Sequence, residues 1–372
     1  MRKHIFLYIH QCALRGGVEK VFYNLLNNLS ADKYEITVLS YIAYLKDDLD
    51  VSLYPSNVKR YWLYYDEFSP RSIKRFFQRV HNHIFPRLFQ FYLRFKKFDT
   101  AIAAQEGMYA DYVNRHVHAD RKLLWIHNDM SICHWTEPFF GSNAREAACY
   151  KDFDRVICVS KDVEKSMIQV FGSMDNLTVC YNPIDTNEID QKMNTCTIQR
   201  PPCPLFVAVG RLVKQKGFDR LLRICKRLRD EGFLFCVWIL GEGEERPELE
   251  KFIRENRLEQ VKLLGNQSNP YLYMRTADWV ICTSRHEGFN MVLHEAVWCE
   301  TPIITTENAG AYELLGNSEY GIITENSEEA FYAAMKSALT HPDIQAYYQD
   351  TVKSRKSFVD LQARMDAIEE LL

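Results

Sequence analysis

Short apolar runs recur along the whole chain, each followed by a longer segment with helical periodicity. In the first half the runs fall at residues 5–9, 34–40, 100–104, 122–126, 155–159 and 177–181. In the second they fall at 205–209, 235–240, 261–264, 278–283 and 302–305. Their length and β-branching fit buried strands. Helical patterns stand between them, for example at 18–29, 161–171, 218–231, 247–256, 271–276, 291–299 and 328–339. Strands apolar on both faces, each followed by a helix, imply a parallel sheet covered by helices on both sides. The alternation breaks at 182–204, where Pro183, Pro201, Pro202 and Pro204 cluster. The predicted fold class is α/β, with two doubly wound Rossmann-like domains facing across a cleft. The expected boundaries are 1–182, a linker over 183–204 and a second domain over 205–350. A chain of 372 residues is long for one core and suits two.

Composition narrows the function classes. Hydrophobic content of 47% with 26% charged residues is that of a soluble globular protein. A formal net charge of −3 gives no reason to expect nucleic acid as a partner. The 11 cysteines include no C-x-x-C pair and no Cys/His ligand spacing, so they read as reduced residues of a cytosolic protein. No stretch approaches eighteen apolar residues, so no membrane span is expected. The basic start, Arg2-Lys3-His4, is followed by only a short apolar run at 5–9, which fits a first strand better than a signal peptide.

The most informative local pattern begins where the apolar run 278–283 ends. Glu287 precedes Gly288-Phe289-Asn290-Met291, and Glu295 follows eight positions after Glu287, on the predicted helix. Strand, glycine turn and helix together aim backbone N–H groups and a positive dipole end at an anion. A carboxylate before the turn and another on the helix can each hold hydroxyl groups of the same ligand. Hydroxyls at both ends with phosphates between describe a nucleotide sugar. The plainer reading is a helix with two solvated glutamates. Position at the carboxyl end of a parallel strand, where open α/β sheets bind ligands, favours the first.

Other segments add to it. Arg211 and Lys216 lie on a glycine-bounded loop after the run 205–209, where a guanidinium and an ammonium together suit a diphosphate. Gly16 and Gly17 open a helix after the first strand and permit close backbone approach. Gly241-Glu242-Gly243 lacks the third glycine of a dinucleotide fingerprint and is acidic, which excludes an NAD site there. His127 ends an apolar strand at its carboxyl end, a position open to catalysis. Residues 71–97, opening with Arg71 and closing with Lys97, hold eight Lys/Arg, seven Phe/Tyr and no acid. Pro86 is expected to divide this stretch into two helices. Its interleaving of basic and aromatic residues suits contact with an anionic membrane surface.

Taken together, these residues resemble retaining glycosyltransferase family 4, the group 1 glycosyltransferases of GT-B fold. The resemblance covers nearly the whole chain and is strongest from Phe206 to Leu315. Glu287 and Glu295 match the family's Glu-x7-Glu pattern, and Gly210-Arg211 with Lys216-Gly217 is similar to its diphosphate loop. Asn182-Pro183-Ile184-Asp185 resembles its interdomain motif, and Gly16-Gly17-Val18-Glu19 its amino-terminal glycine loop. The terminal stretch from Ser357-Phe358 to Leu372 resembles the family's helix that crosses back to the first domain, which implies such a helix over 351–372. One departure is Glu300 before Thr301-Pro302, where the family commonly has glycine.

The resemblance implies a sugar transferase using a UDP-sugar, or less well a GDP-sugar, as donor. Arg211 and Lys216, the loop Gly16-Gly17 and the backbone of Gly288, Phe289, Asn290 and Met291 would meet the diphosphate. Glu295 would hold the ribose, Glu287 the transferred sugar, and His127 would lie beside the sugar and acceptor. No metal or other cofactor is expected. The acceptor would be a glycan or lipid-linked sugar of cell-surface polysaccharide, at the cytoplasmic face of the membrane. Glu287→Ala would abolish transfer and leave the fold intact. Two rival readings are a nucleotide-sugar isomerase of the same architecture and a catalytically silent binding protein. The first would need further acid/base carboxylates in the amino-terminal domain; the second has no use for an intact Arg211, Lys216, Glu287 and Glu295.

Overall fold

A computed structural model of the chain describes residues 2–12, 16–44, 54–66 and 73–372. It divides into two compact units, Met1–Pro183 with Arg364–Leu372, and Ile184–Ala363. Among the described residues of the first unit the strands are β1 (Lys3–Ile9), β2 (Tyr34–Tyr44), β3 (Val58–Asp66), β4 (Lys97–Ala103), β5 (His118–Ile126), β6 (Arg155–Cys158) and β7 (Leu177–Val179). They pair in the order β3-β2-β1-β4-β5-β6-β7, every pair parallel. The second unit has β8 (Leu205–Val209), β9 (Cys236–Leu240), β10 (Val261–Gly265), β11 (Trp279–Cys282), β12 (Ile303–Thr306) and β13 (Ile322–Thr324), in the order β10-β9-β8-β11-β12-β13. These too are all parallel. Each order reverses once, between β1 and β4 and between β8 and β11. Crevices at the carboxyl ends of such reversal points are where doubly wound sheets bind ligands.

The continuous apolar runs follow from burial on both faces. Phe206 and Ala208 of β8, with Val237 and Ile239 of β9, pack into one core beside Leu221, Leu222 and Cys225 of the helix Phe218–Asp230. The alternate residues Leu205, Val207, Trp238 and Leu240 fill the core on the other side. Side chains alternate along a strand, so neither face can be polar here. Truncating a residue as buried as Leu221 costs about 2–5 kcal/mol by the cavity it leaves.

Several expectations need correction. β3 and β13 were not foreseen: both are edge strands, β3 half-buried and tyrosine-rich, β13 three residues long. The basic-aromatic stretch forms one helix, Ile73–Leu93, that continues through Pro86. Rings on both sides of the proline hold it against β3: His81 packs on Tyr65 with centroids 4.7 Å apart, and Phe89 on Tyr61 at 5.1 Å. These contacts outweigh the missing backbone hydrogen bond. The expected linker 183–204 contains the helix Thr186–Met193, capped by Asp185 and tied into the second unit by Trp298 Nε1 donating to Asp190 at 2.9 Å. The expected helix 351–372 is instead the end of Pro342–Ser354, a 3-10 turn Lys356–Val359 and a helix Leu361–Glu369, and the chain rejoins the first unit at Arg364. Glu300 does occupy a left-handed conformation, φ 59°, with its carboxylate 2.9 Å from Lys356 Nζ.

Candidate active site

The loops after β8 and β11 meet at the reversal point of the second sheet. The β8 loop lies backbone to backbone on the turn after β9. Gly210 N–H donates to Leu240 O at 2.9 Å, and Leu212 N–H to Glu242 O at 2.8 Å. Gly241 has φ 139°, and a Cβ built there would stand 1.9 Å from Gly210 O. Close packing of two loops therefore accounts for that glycine.

The same β8 loop is stitched to the loop after β11. Arg285 N–H donates to Gln215 O at 2.7 Å, and Gln215 Nε2 donates to His286 O at 2.9 Å. Arg220, buried, donates from Nε to Thr283 O at 2.8 Å, from a terminal nitrogen to Ser284 O at 2.8 Å, and from the other to Asn326 Oδ1 at 2.8 Å. One guanidinium thus fixes the carbonyls where β11 ends, its planar fork matching several acceptors at once.

This scaffold brings Lys216 and Glu287 together. Lys216 Nζ lies 2.6 Å from Glu287 Oε1, and Ser284 Oγ donates to the same oxygen at 2.5 Å. Among the described residues both of these bonds go to Oε1 and none goes to Oε2. Burial pulls the Lys216 ammonium down, but Glu287, Cys282 and the hydrogen bond outweigh it and raise its pKa. Lys216 therefore stays charged. Glu287 is 8% exposed and Glu295, on the helix Met291–Trp298, is 3% exposed. Neither is solvated, which removes the plainer reading of the pair. Arg211 is exposed at the loop tip and makes no ion pair among the described residues.

The helix start differs in one detail from expectation. Met291 N–H donates to Phe289 O at 3.1 Å, so it is already satisfied within the turn. Phe289 stacks on His294, centroids 4.0 Å apart, and Asn290 Nδ2 reaches Cys282 Sγ at 2.9 Å. These contacts fix Phe289 against the helix and Asn290 against β11.

The remaining candidates belong to the first unit. Gly16 caps the helix Gly17–Asn28, and its missing Cβ makes room for Glu19, whose Oε2 would stand 2.6 Å away. Around Gly17 the space is open. His127 follows β5 and is buried, with Nε2 3.0 Å from Ala104 O and its N–H donating to Glu106 Oε2 at 3.1 Å. A carbonyl can only accept, so Nε2 carries the proton and Nδ1 is an acceptor. Burial lowers the pKa of the imidazole, against the opposing pull of Glu106, which keeps it neutral.

Residues 15–188 match the family described as Glycosyltransferase Family 4, and residues 199–355 match Glycosyl transferases group 1. Between them they take in every candidate site residue and both sheets except β1. The chain belongs to the family 4, group 1 glycosyltransferases. The chain is 32% identical over 228 residues to N-acetylgalactosamine-N,N'-diacetylbacillosaminyl-diphospho-undecaprenol 4-alpha-N-acetylgalactosaminyltransferase of Campylobacter jejuni, over 60% of the chain and 61% of that protein. The chain thus spans less than two thirds of that relative's length. Among solved structures, sucrose-phosphate synthase from Thermosynechococcus elongatus superposes with TM-score 0.78 at 16% identity, covering 100% of this chain and 98% of that one. HepE from Anabaena, solved in complex with UDP and glucose, gives TM-score 0.73 at 18% identity, covering 99% of both chains. These two establish the fold, which is GT-B.

Sequence reading missed Arg220, Ser284 and the Asp219–Arg285 pair. Arg220 carried one signal, a cation immediately before Leu221-Leu222 on a core-facing helix. Asp219 meets Arg285 through two bonds of 2.8 Å. Burial raises the Asp219 pKa, but Arg285 and Arg223 outweigh it and bring it to about 2. A depressed carboxylate stabilises the fold above its unfolded pKa, and that contribution fades as pH falls toward 2. Asp219→Asn is therefore expected to cost on the order of 1 kcal/mol at pH 7, allowing for partial exposure. Denaturant melts should show that cost shrinking between pH 4 and pH 2.

Proposed function

We propose that this glycosyltransferase moves a sugar, with retention at the anomeric carbon, from a UDP-sugar to a lipid-linked or glycan acceptor of cell-surface polysaccharide. The observation that carries this reading is the part-buried Lys216–Glu287 pair at the sheet's reversal point, beside an exposed Arg211 that makes no ion pair among the described residues. A ligand placed there meets two cations, one free carboxylate oxygen and the loop ahead of a helix. In this reading Arg211 and Lys216 take the diphosphate, Glu287 Oε2 a hydroxyl of the transferred sugar, and Glu295 the ribose. To the amino-terminal unit the reading assigns the acceptor, met by His127. Gly16 and Gly17 stay assigned to the donor phosphates on resemblance alone.

The chemistry balances without a covalent enzyme intermediate. The bond from the anomeric carbon to the diphosphate oxygen breaks, and the electron pair leaves with the nucleoside diphosphate. The acceptor hydroxyl oxygen forms its bond on the same face, and its proton passes to the leaving phosphate oxygen. Positive charge held in place at the leaving group lowers this barrier most. Arg211 and Lys216 supply that charge, so transfer is proposed to need no metal. Support for UDP comes from HepE, a protein of the same fold solved with UDP. Support for a lipid-linked acceptor comes from the Campylobacter relative, whose name specifies a diphospho-undecaprenol. A thermal-shift panel of UDP, GDP and ADP tests the donor: a ligand at a hundred times its Kd stabilises by about 2.7 kcal/mol. Stabilisation by UDP alone is expected, and no response to any nucleotide would defeat the reading.

The reading also places the protein on the inner face of the cell membrane. On the helix Ile73–Leu93, Val80, Ile84, Leu88 and Phe91 are exposed at three- and four-residue spacing, and Phe95 continues the stripe. Arg79, Arg87, Arg94 and Lys96 are exposed on the same segment, as a membrane-surface helix requires. Arg71 lies outside the described residues. Among the described residues no helix is long and apolar enough to cross a membrane. Changing Arg79, Arg87 and Arg94 together to Glu is expected to abolish co-sedimentation with vesicles rich in phosphatidylglycerol. Unchanged sedimentation would remove the membrane claim.

A further inference from the structure

The first unit holds a construction that neither fold nor donor binding requires. Glu106, fully buried in the loop after β4, accepts three donors. Oε2 takes the His127 N–H at 3.1 Å; Oε1 takes Asn128 Nδ2 at 2.5 Å and the indole N–H of Trp135 at 2.9 Å. Burying a carboxylate is costly unless its hydrogen bonds are made, and here each one ends on the segment that follows β5. The next residue, Gly107, has φ 80°, and a Cβ there would stand 2.8 Å from Thr136 Cγ2 and 3.3 Å from the Trp135 ring. Thr136 in turn donates to the buried Glu146, which also accepts from Tyr150 at 2.6 Å and faces His134 Nε2 at 2.8 Å. Glu106 and the space left by Gly107 thus hold the indole itself, while Glu146 fixes its chain neighbours His134 and Thr136.

That indole is not core. Trp135 is 43% exposed, while Phe140 nearby is buried. Its polar edge is fixed and part of the ring surface is open to solvent. The shared carboxylate keeps the Trp135 indole nitrogen and the His127 backbone nitrogen within about 8 Å of each other. An oriented aromatic face carries negative potential that attracts the weakly positive C–H face of a pyranose ring, and a ring already held loses little entropy on binding.

We propose that Trp135 is a stacking platform for a sugar ring of the acceptor, with Glu106 as the positioning residue that ties it to His127. The proposal rests on the transferase reading for the presence of a glycan acceptor. It assigns the acceptor sugar a non-polar contact surface, which makes face chemistry rather than charge the basis of selection at that subsite.

Saturation-transfer NMR on the whole protein tests it, with the methyl glycosides of galactose, N-acetylgalactosamine and glucose as probes and UDP in the same tubes. Signal on one face of at least one of these sugars is expected in the wild type. It should fall at least about fivefold in Trp135→Ala and stay within about twofold in Trp135→Phe, which keeps the face but not the N–H. Glu106→Gln, with one oxygen left for three donors, should give an intermediate sugar signal. UDP signal should be unchanged in every variant, a pattern that general unfolding would not produce. Equal sugar signals in wild type and Trp135→Ala, or none in the wild type, would overturn the platform. Absence of UDP signal throughout would count against the transferase reading instead, and the sugar signals would still decide the platform.

Discussion

Glu287→Gln is expected to lower transfer at least about a hundredfold while changing UDP affinity little, because one charged contact to the reacting sugar is lost in the transition state. The amide keeps the shape of the carboxylate and can still accept from Lys216 and Ser284. Glu287→Ala does more. It strands the Lys216 ammonium in a buried site, at a cost of about 3 kcal/mol. The sequence-based expectation that Glu287→Ala leaves the fold intact is therefore revised: activity and stability fall together, and Gln is the variant that separates them. Steady-state rates beside denaturant melts of both variants check this. A Gln variant with most of the wild-type turnover would remove Glu287 from the chemistry.

Gly241→Ala is expected to carry the largest stability penalty, more than about 4 kcal/mol. Its new Cβ would stand 1.9 Å from Gly210 O on a backbone with φ 139°, so the β8 and β9 loops must separate. Those are the loops that set Arg211 and Lys216, so UDP binding should fail with the fold. Gly17→Ala is the control. It has open space around it on the first turn of a helix and should be neutral or slightly stabilising. Chemical denaturation of the two variants measures the contrast; similar midpoints would refute the packing account.

How much was legible in the sequence follows from where information is stored locally. The central strands declared themselves because burial on both faces forces an apolar run, as in β8 and β11. Edge strands β3 and β13 carry one-sided or very short patterns and left no such mark. Glu287, Glu295, Arg211 and Lys216 were singled out from residue type and order. The ion pair between Lys216 and Glu287 was not, since 71 residues separate the partners and only the sheet order brings them together. Arg220 and Glu106 were missed for a related reason. Each acts on backbone groups far along the chain, and a bond to a carbonyl or N–H leaves no trace in the partner's identity. Pro86 misled because local rules end a helix there, whereas ring contacts to β3 hold it together.

Calorimetric titration of UDP into the wild type, Arg211→Ala and Glu295→Ala tests the donor site most directly. Each side chain is assigned a charge-assisted bond to the nucleotide worth about 2 kcal/mol, so each variant should bind roughly thirtyfold more weakly. Affinities equal to that of the wild type in both variants would contradict the account.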